Sequence, residues 1–158
     1  MGHVTRFPRL VAETLSGRTL VLPDSLDDEV AVVMLVFRRH AQSIVDSWMM
    51  PLERRYRDAS GLAWYEVPML AGGWRMISGF IDGGMRSGIH PSRHGNVATY
   101  YGDSSRFQDV LGIEDLDSAY TFLINSEGAV LHRGDGWADP RKLHAFYDAV
   151  DAALAGNR

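Results

Sequence analysis

The residues best placed to do chemistry stand together at Arg38-Arg39-His40, where the apolar run from Val30 to Phe37 breaks off. Two guanidinium groups and an imidazole at a strand end, with a helix beginning just beyond, could hold an anion: phosphate, a carboxylate or an acidic tail. Ligands of open α/β sheets collect beyond the carboxyl ends of strands. A helix start adds unpaired N–H groups and a partial positive charge. The plainer alternative pairs these cations with Asp24, Asp27, Asp28 or Glu29, or leaves them facing water. A second candidate is "HPSRH", in which His90 and His94 have the separation of two helical metal ligands. Pro91 and Gly95 oppose a helix there, and no glutamate follows the first histidine, so the H-E-x-x-H mechanism lacks its base. Exposed loop histidines are the economical reading, and His132 would complete a metal site only if the fold brought it near. No cofactor is implied.

The chain contains no cysteine, which removes disulfides, thiol exchange, Fe–S clusters and cysteine-based zinc sites. Ser16-Gly17 and Ser78-Gly79 lack the G-x-S-x-G elbow, and no G-K-[ST] follows Gly83-Gly84, so there is no phosphate loop. Asp27-Asp28 lie in a polar turn, which is not the desolvated setting that general acid–base work needs.

The elements that must position these groups follow from periodicity. "ETLSGRTLVLP" contains a turn and then alternation of Leu20 and Leu22 against Thr19 and Val21, an edge strand ended by Pro23. Val30 to Phe37 is apolar on both faces, as in a central strand covered on both sides. Ile44, Val45, Trp48, Leu52 and Tyr56 recur at steps of three or four, which predicts an amphipathic helix over 41–58, kinked at Pro51. "LAWYEVPML" over 62–70 is a strand. "WRMISGFIDGGMR" reads as a short helix closed at Gly83-Gly84, followed by the loop "SGIHPSRHGN". "VATYY" is a short strand, and "SSRFQDVLGI" a helix with a serine cap and Gly112 at its end. "SAYTFLINSEGAVLHRG" is a hairpin turning at Asn125-Ser126-Glu127-Gly128. A last helix opens with Asp139 as N-cap and Pro140 in its first turn. The expected order is strand, strand, kinked helix, strand, helix, small strand, helix, hairpin, helix. This predicts an α/β fold, a mixed sheet with helices on both faces.

With 158 residues and no repeat or linker, a single domain spanning 1–158 is expected, its core at about 7–155. A formal charge of -4 argues against nucleic acid as a partner. The longest apolar run is far short of a membrane span, and the start of the chain has no signal pattern, so no integral membrane segment and a cytoplasmic location are expected, with membrane attachment only through a partner. Trp48, Phe107, Phe122, Phe146 and Tyr147 fall on periodic apolar positions and read as core. Trp74, Tyr100, Tyr101, Tyr120 and Trp137 fall at element ends or in loops, where large rings often mark contact surfaces. Met49, Met50, Met69, Met76 and Met85 are adaptable apolar groups of the kind found on binding faces and, more often, in cores.

This order of elements resembles the thioredoxin-like fold, in particular its peroxiredoxin-like branch, over about Phe7 to Leu154. The resemblance implies a C-x-x-C pair or one peroxidatic cysteine at the junction that follows the central strand. Counted back from Pro51, such a pair would stand at Ser43 and Asp46; counted forward from Phe37, at Gln42 and Val45. Neither register holds a thiol. The fold's cis-proline and threonine at the hairpin entrance are replaced by Ala119-Tyr120-Thr121. Within that fold, "FPRLVAETLSGRTLVLP", "VVMLVFRRHAQSIVDSW", "GGMRSGIHPSRHGNVATYYGD" and "AYTFLINSEGAVLHRGDGWA" resemble the ATP synthase assembly-factor family called ATPase complex subunit ten. That family's hairpin turns at D/N-x-x-G and ends in G-x-G-x-A, here Gly134-Asp135-Gly136-Trp137-Ala138.

The family implies a chaperone-like role, without catalysis, in assembling the membrane sector of an F-type ATP synthase, with a synthase subunit as protein partner. The known family is mitochondrial, and this chain has no Arg- and Ser-rich presequence, so it reads as a bacterial or archaeal relative whose client can differ. The expectation is a non-redox protein that acts by binding another protein or itself as a homodimer. Arg38, Arg39, His40, Tyr120 and Trp137 are its partner-facing candidates. The alternatives are an anion-binding protein or enzyme at Arg38–His40, and a redox-dead scaffold with an unrelated partner.

Overall fold

The computed structural model describes residues 5–27, 29–70 and 96–156. A seven-stranded mixed sheet runs through the molecule in the order β2-β1-β5-β4-β3-β6-β7. Its strands are β1 (Leu10–Thr14), β2 (Thr19–Leu22), β3 (Val30–Val36), β4 (Leu62–Leu70), β5 (Ala98–Tyr101), β6 (Ala119–Ile124) and β7 (Val130–Asp135). Three helices are described: α1 (Gln42–Tyr56), α2 (Ser105–Leu111) and α3 (Pro140–Gly156). β3 and β4 are parallel, as are β4 and β5, while β6 runs antiparallel to β3 and β7 antiparallel to β6. The helix and loop expected between Trp74 and Gly95, with His90 and His94, lie outside the described residues, as does Asp28.

The apolar β3 is central because both its faces are buried. Val30, Val32, Met34 and Val36 face α1 and α3, where they meet Val45, Trp48, Leu52, Phe146 and Val150. Ala31, Val33 and Leu35 face the other way, toward Phe7, Phe107 of α2, Leu111 and Phe122. The alternation of period two thus feeds two separate cores.

Two sequence expectations need correction. β1 was not foreseen: Leu10–Thr14 alternates buried and exposed and pairs antiparallel with β2 and β5, so the turn at Ser16-Gly17 joins a hairpin. Five residues with only Leu10 and Ala12 as buried apolar groups carry too weak a period to stand out. The second correction concerns the α2 cap. Ser104 makes no side-chain cap bond; instead the Asp103 carboxylate accepts from the Ser105 N–H at 2.9 Å, and Gly112 closes the helix in the left-handed conformation at φ 62°. The expected cap of α3 is present: Lys142 N–H donates to Asp139 Oδ1 at 2.8 Å.

What holds α1 to the hairpin is a ring fitted into a missing side chain. A Cβ on Gly134 would lie 2.3 Å from Cη2 of Trp48, so only glycine in β7 lets the buried indole lie flush on the strand. The Trp48 Nε1–H donates to the Gly136 carbonyl at 2.6 Å, and the Ala138 N–H donates to Ser47 Oγ at 3.0 Å. Trp48 and His132 each pack a ring against Phe146 of α3, with centroids 5.5 and 5.4 Å apart. Further along, the Tyr56 hydroxyl donates to Asp151 of α3 at 2.7 Å, and Arg55 lies 4.5 Å over the Tyr147 ring.

Two measurements check this packing. Gly134→Ala should cost about 1–3 kcal/mol by overpacking, read from denaturant melts, and the cost should shrink in a Trp48→Phe background because the two sites share one contact. Burial, reinforced by the Asp151 carboxylate, pushes the Tyr56 hydroxyl from its ordinary value near 10 up to about 12. Folding therefore favours the neutral phenol, so the stability from Tyr56 is complete below pH 10 and is lost as pH rises toward 12. Melts across that interval should show the decline in wild type and a shallower one in Tyr56→Phe.

Candidate functional site

The junction after β3 is built by a short chain reversal. Phe37 is half-buried against Tyr120, at 6.4 Å between ring centroids. Arg38 is extended, Arg39–Ala41 form one 3-10 turn closed by Ala41 N–H to the Arg38 carbonyl at 3.0 Å, and Gln42 begins α1. Arg38, Arg39 and His40 are all exposed.

The expected acidic partners are not the ones used. Arg38 Nε lies 3.4 Å and His40 Nε2 3.1 Å from one oxygen, Asp117 Oδ1. The topology explains the difference. Asp24, Asp27 and Glu29 precede β3 and so sit at its opposite end, where Asp24 pairs with Arg9 at 3.5 Å. Asp117 precedes β6, which runs antiparallel to β3 with Val36 opposite Ala119, so the start of β6 lies beside the end of β3. Asp117 is itself held by a local turn, its N–H donating to Asp115 Oδ1 at 2.9 Å. Among the described residues Arg39 has no ion-pair partner.

The positions where the resemblance would put thiols hold ordinary side chains. Gln42 Nε2 donates to Asp46 Oδ1 at 3.4 Å, Ser43 is exposed, and Val45 is fully buried beneath the helix. No group here is a nucleophile in an activating environment. The junction offers charge, amides and hydroxyls. Tyr120 departs from the expectation of a contact-surface ring: it is buried, its hydroxyl donates to the Asp115 carbonyl at 2.7 Å, and Arg133 lies over its face. Burial raises the pKa of that phenol. A residue in a strand between β3 and β7 has little surface to give a partner. Trp137, in contrast, is 57% exposed. Among the described residues no cluster of histidine, cysteine or carboxylate side chains could hold a metal ion. Sequence reasoning missed Asp117; an antiparallel β3–β6 pairing, read from the hairpin, was the signal that could have found it.

A family model described as ATP10 protein matches residues 3–152. This chain belongs to the ATP10 protein family. Searching curated proteins finds no match. Among solved structures, a putative DsbE thiol:disulfide interchange protein from Chlorobium tepidum superposes with a TM-score of 0.60 at 16% identity, covering 98% of this chain and 99% of the other. BsSco, a member of the Sco family of cytochrome c oxidase assembly proteins, gives 0.62 at 14% identity over 96% and 95% of the two chains. An uncharacterized conserved protein from Geobacillus kaustophilus gives 0.64 at 14% identity over 99% and 84%. The fold of this ATP10 family member is thioredoxin-like, and the thiol chemistry named for one of these relatives has no cysteine to run on here.

If the Asp117 carboxylate occupies the place an anion would take, Asp117→Asn should free Arg38 and His40. Phosphate should then raise the melting temperature of the variant and leave wild type unmoved, while the loss of exposed pairs by itself changes stability by less than about 1 kcal/mol.

Proposed function

We propose that this chain is a non-redox assembly factor for an F-type ATP synthase that works by binding a protein subunit of that complex. The observation that carries the reading is the family match over residues 3–152, in a chain whose redox positions hold Gln42, Ser43, Val45 and Asp46. With no thiol at those positions, what the junction can offer a partner is shape and charge. A paired set of Arg38, His40 and Asp117, beside Arg39, which has no ion-pair partner among the described residues, is a polar surface suited to a protein's mixed charges. The small-anion reading is weaker, because an internal carboxylate already sits between Arg38 and His40. None of the described helices is long and apolar enough to cross a membrane.

The test is capture and phenotype together. The tagged chain, retrieved from its source cells under gentle detergent, should recover ATP synthase membrane-sector subunits, and cells lacking the gene should accumulate unassembled subunits. Recovery of no synthase subunit, with normal synthase assembly in the deletion, would refute the reading. The pure chain should show no disulfide reductase turnover.

A further inference from the structure

Two of the five described large hydrophobic residues that are exposed stand at the outer edge of the sheet, Leu131 in β7 and Trp137 two residues beyond its end.

β7 is also an open edge, since no described strand pairs with its far side. Because Gly136 N–H donates to the Ala119 carbonyl at 2.9 Å, the alternation of an antiparallel ladder turns the amides of residues 132, 134 and 136 toward β6. Those of Arg133 and Asp135 then point outward. Among the described residues the edge is guarded only at its ends. Val130 N–H is taken by the Thr5 carbonyl at 2.8 Å, and Lys142 Nζ donates to the Asp135 carbonyl at 3.0 Å, an oxygen with a second lone pair to offer. Unguarded edges of this kind recruit strands.

We propose that β7 pairs antiparallel with β7 of a second copy of this chain across a two-fold axis at Gly134, forming a homodimer with one continuous sheet. The side chains choose that register. An axis at Arg133 would set arginine against arginine, and an axis at Asp135 would set aspartate against aspartate, both destabilising. The axis at Gly134 sets Arg133 opposite Asp135 of the second copy, twice. Within each chain Arg133 Nε already lies 2.7 Å from Asp135 Oδ1, so the dimer joins these pairs into one cluster of alternating charge. Regular pairing about that axis runs from Arg133 to Asp135, between the register shift of the ladder near Leu131 and the turn of the chain at Gly136. The interface is self-complementary, as a two-fold contact must be. It is separate from the junction at Arg38–Asp117 and does not depend on the assembly role proposed above.

Sedimentation or light scattering on the full chain, combined with amide hydrogen exchange, tests this. Wild type should have the mass of a dimer, with the outward amides of Arg133 and Asp135 protected from exchange. Asp135→Arg, which sets like charges opposite, and Leu131→Lys, which puts a charge on the edge, should each give monomer mass and fast exchange at those amides, with an unchanged circular dichroism spectrum. A monomeric wild type overturns the proposal. So does a dimer in which those amides exchange freely, or one that survives both substitutions.

Discussion

The contact on which the rest of the structure leans is the Trp48 indole lying on the bare backbone of Gly134. It brings helix α1, the terminal hairpin and helix α3 to one point: the ring packs on Phe146, its N–H donates to the Gly136 carbonyl, and the neighbouring Ser47 holds the Ala138 N–H. Burying an indole satisfies the hydrophobic requirement only if its N–H also finds an acceptor. The glycines of "GDGWA" supply both conditions. Gly134 makes room, and Gly136, at φ 69°, turns the chain as it leaves the strand, with its N–H still held by Ala119. This is a physical reason for the G-x-G-x-A pattern that involves no ligand and no catalysis. It fixes where α1 lies on the sheet, and therefore where the junction at its start can point.

That junction retains the geometry of a thioredoxin-like site while its chemistry is different. A thiol at a helix start works because the helix dipole and nearby cations favour the thiolate. Here those cations face Asp117, and the first turn of α1 carries Gln42 and Ser43. At this junction Arg38 and His40 hold an internal carboxylate, that of Asp117, on an exposed polar surface. Matched exposed charges contribute little to stability and more to the choice and orientation of a partner. This is consistent with membership of a family concerned with assembly.

Much of this was legible in one sequence, for reasons that differ by element. The apolar run from Val30 to Phe37 that holds β3, the 3.6-residue period of α1, the Asp139-Pro140 start of α3 and the glycine turn at Asn125–Gly128 are each specified by neighbours in the chain, so local reading recovers them. The absence of cysteine, and with it the absence of thiol exchange, was a matter of composition alone. β1 was lost because its period is short and weak. Asp103 was passed over as the α2 cap because serine and aspartate compete for that role, and local geometry decides between them.

What only the tertiary structure decided is which distant residues meet. Nothing near Arg38 in the chain points to Asp117; they meet because β6 returns antiparallel beside β3 and brings its start to the other strand's end. Tyr120 looked like a surface ring from its place at an element end and is buried because β6 has neighbours on both sides. Trp48 was marked as core by its period, but that its partner is a glycine 86 residues on, chosen for having no side chain, emerges only in three dimensions. Periodicity and composition record what each residue requires of its environment. Only the folded chain shows which other residue meets that requirement, because strand pairing sets long-range neighbours by register and not by sequence distance.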